Sequence, residues 1–141
     1  MNAETLFDIS IEEDNDEKLD ESIQLAMDEW VYFFFNEKEG KNTPAGSGNV
    51  EQIIFTGKDN PIHIPLIKNE YGVNGVIYFT MEQAKRSVEF DCKIAKMRGH
   101  KALTLYYELE PIDAIYLQSS NNYVRIPRAK MKNILSNHKG L

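Results

Sequence analysis

The sequence predicts an α+β fold, a single layered domain with a mixed sheet of about five strands and about four helices. Three observations lead there. Its 141 residues fall within the ordinary size of one domain. Apolar residues make up 42% of the chain and charged residues 27%, a balance that supports a core without disulfides or metals. Short β-rich runs and helix-periodic stretches follow one another in mixed order, without the regular strand–helix alternation of a doubly wound parallel sheet.

Residues 1–18 end in the run Glu12-Glu13-Asp14-Asn15-Asp16-Glu17-Lys18. They are polar and acidic, and predict a flexible segment ahead of a domain spanning 19–141. From Leu19, apolar residues recur at three- and four-residue steps through Ile23, Ala26, Met27, Trp30 and Phe34, predicting a helix capped by Asp16 or Asp20. Val31, Phe33 and Phe35 make its last turn apolar on nearly every side. That implies either cover on two sides or an aromatic patch for a partner, a second copy of the chain included.

A loop rich in breakers covers 36–49, and strands follow at Gln52–Thr56 and Ile62–Ile67. Pro65 cannot donate to a ladder, so the second strand should lie at an edge or be irregular. Val76–Phe79 has the β-branched and aromatic content of a buried strand. Thr80 and Gln83 then have capping-box spacing, opening a helix expected to reach about Phe90. Ala102, Leu105, Tyr106 and Leu109 form one stripe of a helix over Lys101–Leu109. Ala114–Leu117 and Tyr123–Ile126 read as a hairpin about the turn 119–122. Pro127 suits the first position of a last helix that carries Met131, Ile134 and Leu135 on its inner side.

Charge is unevenly spread. Residues 1–40 hold thirteen acids and two lysines, whereas the remainder is net basic by five within an overall charge of −6. The acids either solvate a terminus or reach for a basic surface, on this protein or on a partner, and they make free nucleic acid an unsuitable ligand. The N-terminus has no basic region followed by an apolar run, no stretch approaches a membrane span, and Cys92 is the only cysteine. Together these features predict a protein of the reducing cytoplasm with no membrane role.

No phosphate loop occurs, and His63, His100 and His138 are too scattered to read as metal ligands. No cofactor, metal or catalytic set is expected, and the chain is read as no enzyme. The rival reading is a small-ligand module or thiol enzyme in which Cys92 is the nucleophile and His100 its base. The basic run Lys93, Lys96, Arg98, His100 and Lys101 reads as a solvated connector or as the internal counterpart of the acidic segment.

Three segments together resemble the N-terminal domain of the SseB family, named for enhanced serine sensitivity. They are the proline-bearing strand Ile62-His63-Ile64-Pro65-Leu66, the strand-to-helix passage Val76-Ile77-Tyr78-Phe79-Thr80-Met81-Glu82-Gln83-Ala84, and the stretch from Ala102 through Glu110-Pro111-Ile112-Asp113-Ala114-Ile115-Tyr116-Leu117 to Tyr123-Val124-Arg125-Ile126-Pro127. Where the family often has Asn-Pro-Gly after the late strand, this chain has Gln118-Ser119-Ser120. The resemblance implies an α/β sandwich-like domain with no established enzymatic activity.

The expected function is therefore protein binding without catalysis, as in a bacterial immunity or adaptor protein that meets a basic partner such as a toxin or nuclease. Asp14, Asp16, Glu17 and Asp20 would steer that partner, and Tyr71, Tyr106, Tyr107 and Tyr123 would anchor it.

Overall fold

A computed structural model describes residues 1–35, 50–56, 61–87, 93–109 and 112–138. In chain order the elements are α1 (Ala3–Glu12), α2 (Asp16–Met27), β1 (Trp30–Phe35), β2 (Val50–Thr56), β3 (Pro61–Asn69), β4 (Gly72–Tyr78), α3 (Met81–Ser87), β5 (Lys93–Arg98), α4 (Gly99–Tyr107), β6 (Ala114–Gln118), β7 (Tyr123–Pro127) and α5 (Arg128–Asn137). The predicted α+β class holds, with seven strands in one mixed sheet and five helices among the described residues.

The sheet is organised around β4. On one side β4 runs parallel to β6, from Asn74↔Ala114 to Tyr78↔Gln118, and β6 turns back as a hairpin into β7. A parallel pair needs a long crossover, which α3, β5 and α4 supply. The other side of β4 is divided between two neighbours. β3 pairs with Gly72–Asn74, and β1 meets Tyr78. The sheet therefore forks, with β3 leading to β2 and β1 leading to β5. Pro65 sits where β3 has a ladder to β2 alone, because the ladder to β4 begins only at Ile67. A residue without an N–H is tolerated there.

Residues paired across a ladder point to the same side of the sheet, which sorts the side chains into two faces. One face carries Val31, Phe33, Ile77, Ile115, Leu117 and Ile126, all buried, and packs with Phe7, Ile23, Leu103, Tyr106 and Met131 of the helices in a single core. Phe33 meets Tyr106 edge-on at 5.7 Å. Gly75 makes room for that ring, since a Cβ there would stand 2.5 Å from Tyr106 Cδ1. The opposite face carries a smaller cluster of Phe34, Tyr78 and Ala84 under α3, with Tyr32, Val76 and Ile94 around it.

Four expectations are corrected. Residues 1–18 are not a flexible segment: they form α1 and open α2. Asn2 caps α1 by accepting from the Thr5 N–H, while Ala3 and Phe7 are wholly buried. Acids help to fasten this helix. Asp8 accepts from the Asn122 side chain at 2.8 Å and from the Ser119 hydroxyl at 2.5 Å, and Glu29 accepts from the Ala3 N–H at 3.1 Å. Asn15 rather than either aspartate caps α2, accepting from the Lys18 N–H at 3.0 Å.

Trp30–Phe35 is strand β1, not the end of a helix. Its inner residues are covered on both sides of the sheet, so the sequence lacks the alternation that marks a half-buried strand. The segment is thus used inside the sheet between β4 and β5 rather than offered whole to a partner. The basic run is likewise no connector. Lys93–Arg98 is strand β5, in register with all six residues of β1, and His100 and Lys101 begin α4.

Other expectations agree in detail. Thr80 accepts from the Gln83 N–H at 3.1 Å at the start of α3. The β6–β7 turn closes with the Ser119 N–H donating to the Asn122 carbonyl at 2.8 Å. Pro127 ends β7 and stands at the N-cap of α5, one residue before the expected place.

Candidate functional site

The four predicted acids are all exposed and lie on α2 or in the turn before it. Asp14 forms the turn between α1 and α2, with φ at 51°. Aspartate tolerates that left-handed geometry better than most residues. Asp16 and Glu17 lie in the first turn of α2, where the positive end of the helix dipole favours them. Asp20 follows one turn later and pairs with Lys130 of α5 at 3.4 Å. Residues 1–35 hold eleven acids against the single Lys18, which is itself paired with Glu13 at 2.6 Å. Exposed pairs of this kind contribute little stability, so the surface is chiefly a source of negative potential.

The predicted tyrosines separate. Tyr71 and Tyr123 are exposed, at 64% and 67%. Tyr106 is no surface anchor: it is 1% exposed and its hydroxyl donates to the Val76 carbonyl at 3.3 Å. Burial raises its pKa, with Tyr78 adding to the effect. Tyr107 is half-buried beneath the Arg128 guanidinium, 4.5 Å from the ring centre.

Tyr71 and Tyr123 belong to one aromatic patch on the sheet face opposite the main core. Tyr123 meets Tyr116 edge-on at 5.8 Å, and Tyr116 is the ladder partner of Arg125. Arg125 donates to the Tyr71 carbonyl at 2.8 Å and to Asn74 Oδ1 at 3.1 Å. Asn74 is fully buried, and its amide donates to Ile67, Asn69 and Gly72. Acids on the helical layer and tyrosines on the far face of the sheet are thus on different sides of the domain.

A groove of ≈ 1230 Å³ lies between α2 and α5 and is not legible in the sequence. Asp20, Glu21, Gln24, Leu25 and Asp28 form its α2 wall. Lys130, Asn133, Ile134 and Asn137 form the α5 wall, and His138 lies beyond the end of that helix. Gln24 spans the groove by donating to the Ile134 carbonyl at 3.3 Å. The signal was present as two stripes at helical spacing, but it acquires meaning only once the two helices lie side by side.

At one end of the groove, His138 Nε2 stands 2.8 Å from Asp28 Oδ1. Its buried ring stacks on His100 with centroids 4.6 Å apart and planes 19° from parallel. The His100 pKa is lowered from its ordinary 6.5 by burial, then by His138, Lys101 and Arg98, while Asp28 opposes them. The unfolded chain therefore binds this proton more readily than the folded one. Stability from this source is intact above pH 6.5 and is lost as the pH falls through the lowered value. Urea unfolding at pH 7.5 and 5.5 checks this: the loss on acidification should be smaller in His100→Gln than in the parent. An equal loss in both would show that His100 has no part in it.

The thiol reading places its nucleophile, Cys92, outside the described residues, and His100 is occupied in the stack with His138. Among the described residues, no group of three or more His, Cys, Asp or Glu side chains could hold a metal ion. No helix among them is long and apolar enough to cross a membrane. The basic residues of β5 instead flank Trp30, with Arg98 4.0 Å and Lys96 4.7 Å from the ring centre. No family model, no characterised protein and no solved structure matches the chain.

Proposed function

We propose that this chain is a non-enzymatic protein-binding domain whose acidic helical side meets a basic partner. One observation carries the reading: Asp16, Glu17 and Asp20 stand on α2 and Asp14 in the turn before it, with α1 and α2 fastened to the core through Ala3, Phe7, Leu19 and Ile23. A fixed array of like charges keeps its potential pointed in one direction, which speeds encounter with an oppositely charged surface and rejects like-charged ones. The sequence segments that resemble the SseB N-terminal domain, 62–66, 76–84 and 102–127, fit the same reading, since that family has no established enzymatic activity. Within it, the domain works in the cytoplasm as an immunity or adaptor protein of bacterial type, against a toxin, nuclease or other basic protein.

The test begins with affinity capture from the native host, followed by kinetics on the partner recovered. Replacing Asp14, Asp16, Glu17 and Asp20 together by lysine should slow association about tenfold or more at low salt and flatten its salt dependence. Unchanged association would remove the electrostatic mechanism. Loss of binding in Tyr71→Ala or Tyr123→Ala instead would move the contact to the far face of the sheet.

A further inference from the structure

We propose that the α2–α5 groove is a docking site for a short amphipathic helix of the partner, with apolar side chains toward the groove and lysine or arginine along its flanks. This inference rests on the protein-binding reading and names the segment that such a partner would contribute.

The shape comes first. Groove residues include 20, 21, 24 and 25 on α2 with Asp28 at its C-cap, and 130, 133, 134 and 137 on α5 with His138 at its C-cap. From Asp20 to Asp28 and from Lys130 to His138 each wall spans eight residue steps, or roughly 12 Å at the helical rise. Two parallel stripes of that length form a trough that accepts two to three turns of a third helix, the helix-in-groove mode of recognition.

The lining supplies the chemistry. Leu25, an aliphatic side chain 39% exposed, stands on the groove wall, and the buried Ile23 and Ile134 lie at its floor. An occupant with leucine-like side chains would cover Leu25 and extend the core outward. Three carboxylates line the groove, from Asp20, Glu21 and Asp28, against one lysine, Lys130. Asp20 and Asp28 keep 66% and 72% of their side-chain surface exposed despite their contacts with Lys130 and His138. Cations on an incoming helix can therefore reach both, whereas an acidic helix would meet repulsion along the α2 wall.

The first probe is an 18-residue helical peptide of leucine and lysine in amphipathic order, with its leucine–glutamate counterpart as control, titrated into the isotope-labelled full chain. The leucine–lysine peptide should shift the amides of α2 and α5 along the groove. Its affinity should fall at least fivefold in Leu25→Ser and at least fivefold in Asn133→Arg, two exposed-side changes compatible with folding. The glutamate counterpart should shift neither helix. Shifts confined to the α1–α2 turn and insensitive to Leu25→Ser would overturn the groove while leaving the acidic surface standing. Failure of both peptides to bind would overturn the groove alone, because the wider reading is judged on the captured partner. Concentration-dependent broadening of groove amides without peptide would make a second copy the occupant and also overturn the proposal.

Discussion

Phe7→Ala should destabilise the domain by about 3–5 kcal/mol, the usual consequence of emptying a fully buried aromatic site. Phe7 has no exposed surface, and its ring lies 5.1 Å from that of Phe79 in the main core. A loss of that size removes a large share of the roughly 5–15 kcal/mol that holds a domain folded. Thr5→Ala, on the outer side of the same helix, is the control, with an expected change within about 0.5 kcal/mol. Urea unfolding of the two variants against the parent decides the matter. Equal stability of both would mean that α1 is not packed, and the ordered acidic surface would fall with it.

Gly99→Ala should be at least as damaging as a typical overpacked core, at about 3 kcal/mol or more. A Cβ on Gly99 would overlap the Ala26 carbonyl oxygen and stand 2.7 Å from its carbon and 2.8 Å from Met27 Cα. These are backbone atoms at the end of α2, so no rotamer change relieves the overlap. The Gly99 N–H also donates to the Glu29 carbonyl at 2.9 Å, fixing the start of α4 against the same segment. Thermal unfolding should show a clear drop in Tm for Gly99→Ala. A parent-like midpoint would show that α4 can stand away from α2, and that this close approach is not needed.

How much of this was legible depended on whether the signal was local. The β4-to-α3 passage was readable because Thr80 announces a cap, and the β6–β7 hairpin because polar turn residues separate two apolar runs. α1 was hidden because its buried stripe is only Ala3, Phe7 and Ser10, set among acids. β1 reads as the end of a helix because its aromatic run fits a helix and a doubly covered strand equally well. Tyr106 reads as a surface anchor because nothing near it in sequence shows that Gly75, on a distant strand, vacates the space for its ring. The acids of the candidate site were visible, but their rigid presentation was not. It depends on contacts such as Asp8 with Asn122, which join residues 114 positions apart.

The fork at β4 gives the sheet three outermost strands among the described residues, β2, β5 and β7, where an unbranched open sheet has two. An outermost strand has a row of backbone groups with no ladder partner in its own sheet, and such a row can recruit a foreign chain and seed aggregation. Two of them carry natural deterrents: β5 bears the exposed cations Lys93, Lys96 and Arg98, and β7 finishes at Pro127. The branch that widens the sheet thus adds a third margin to be guarded against edge-to-edge pairing.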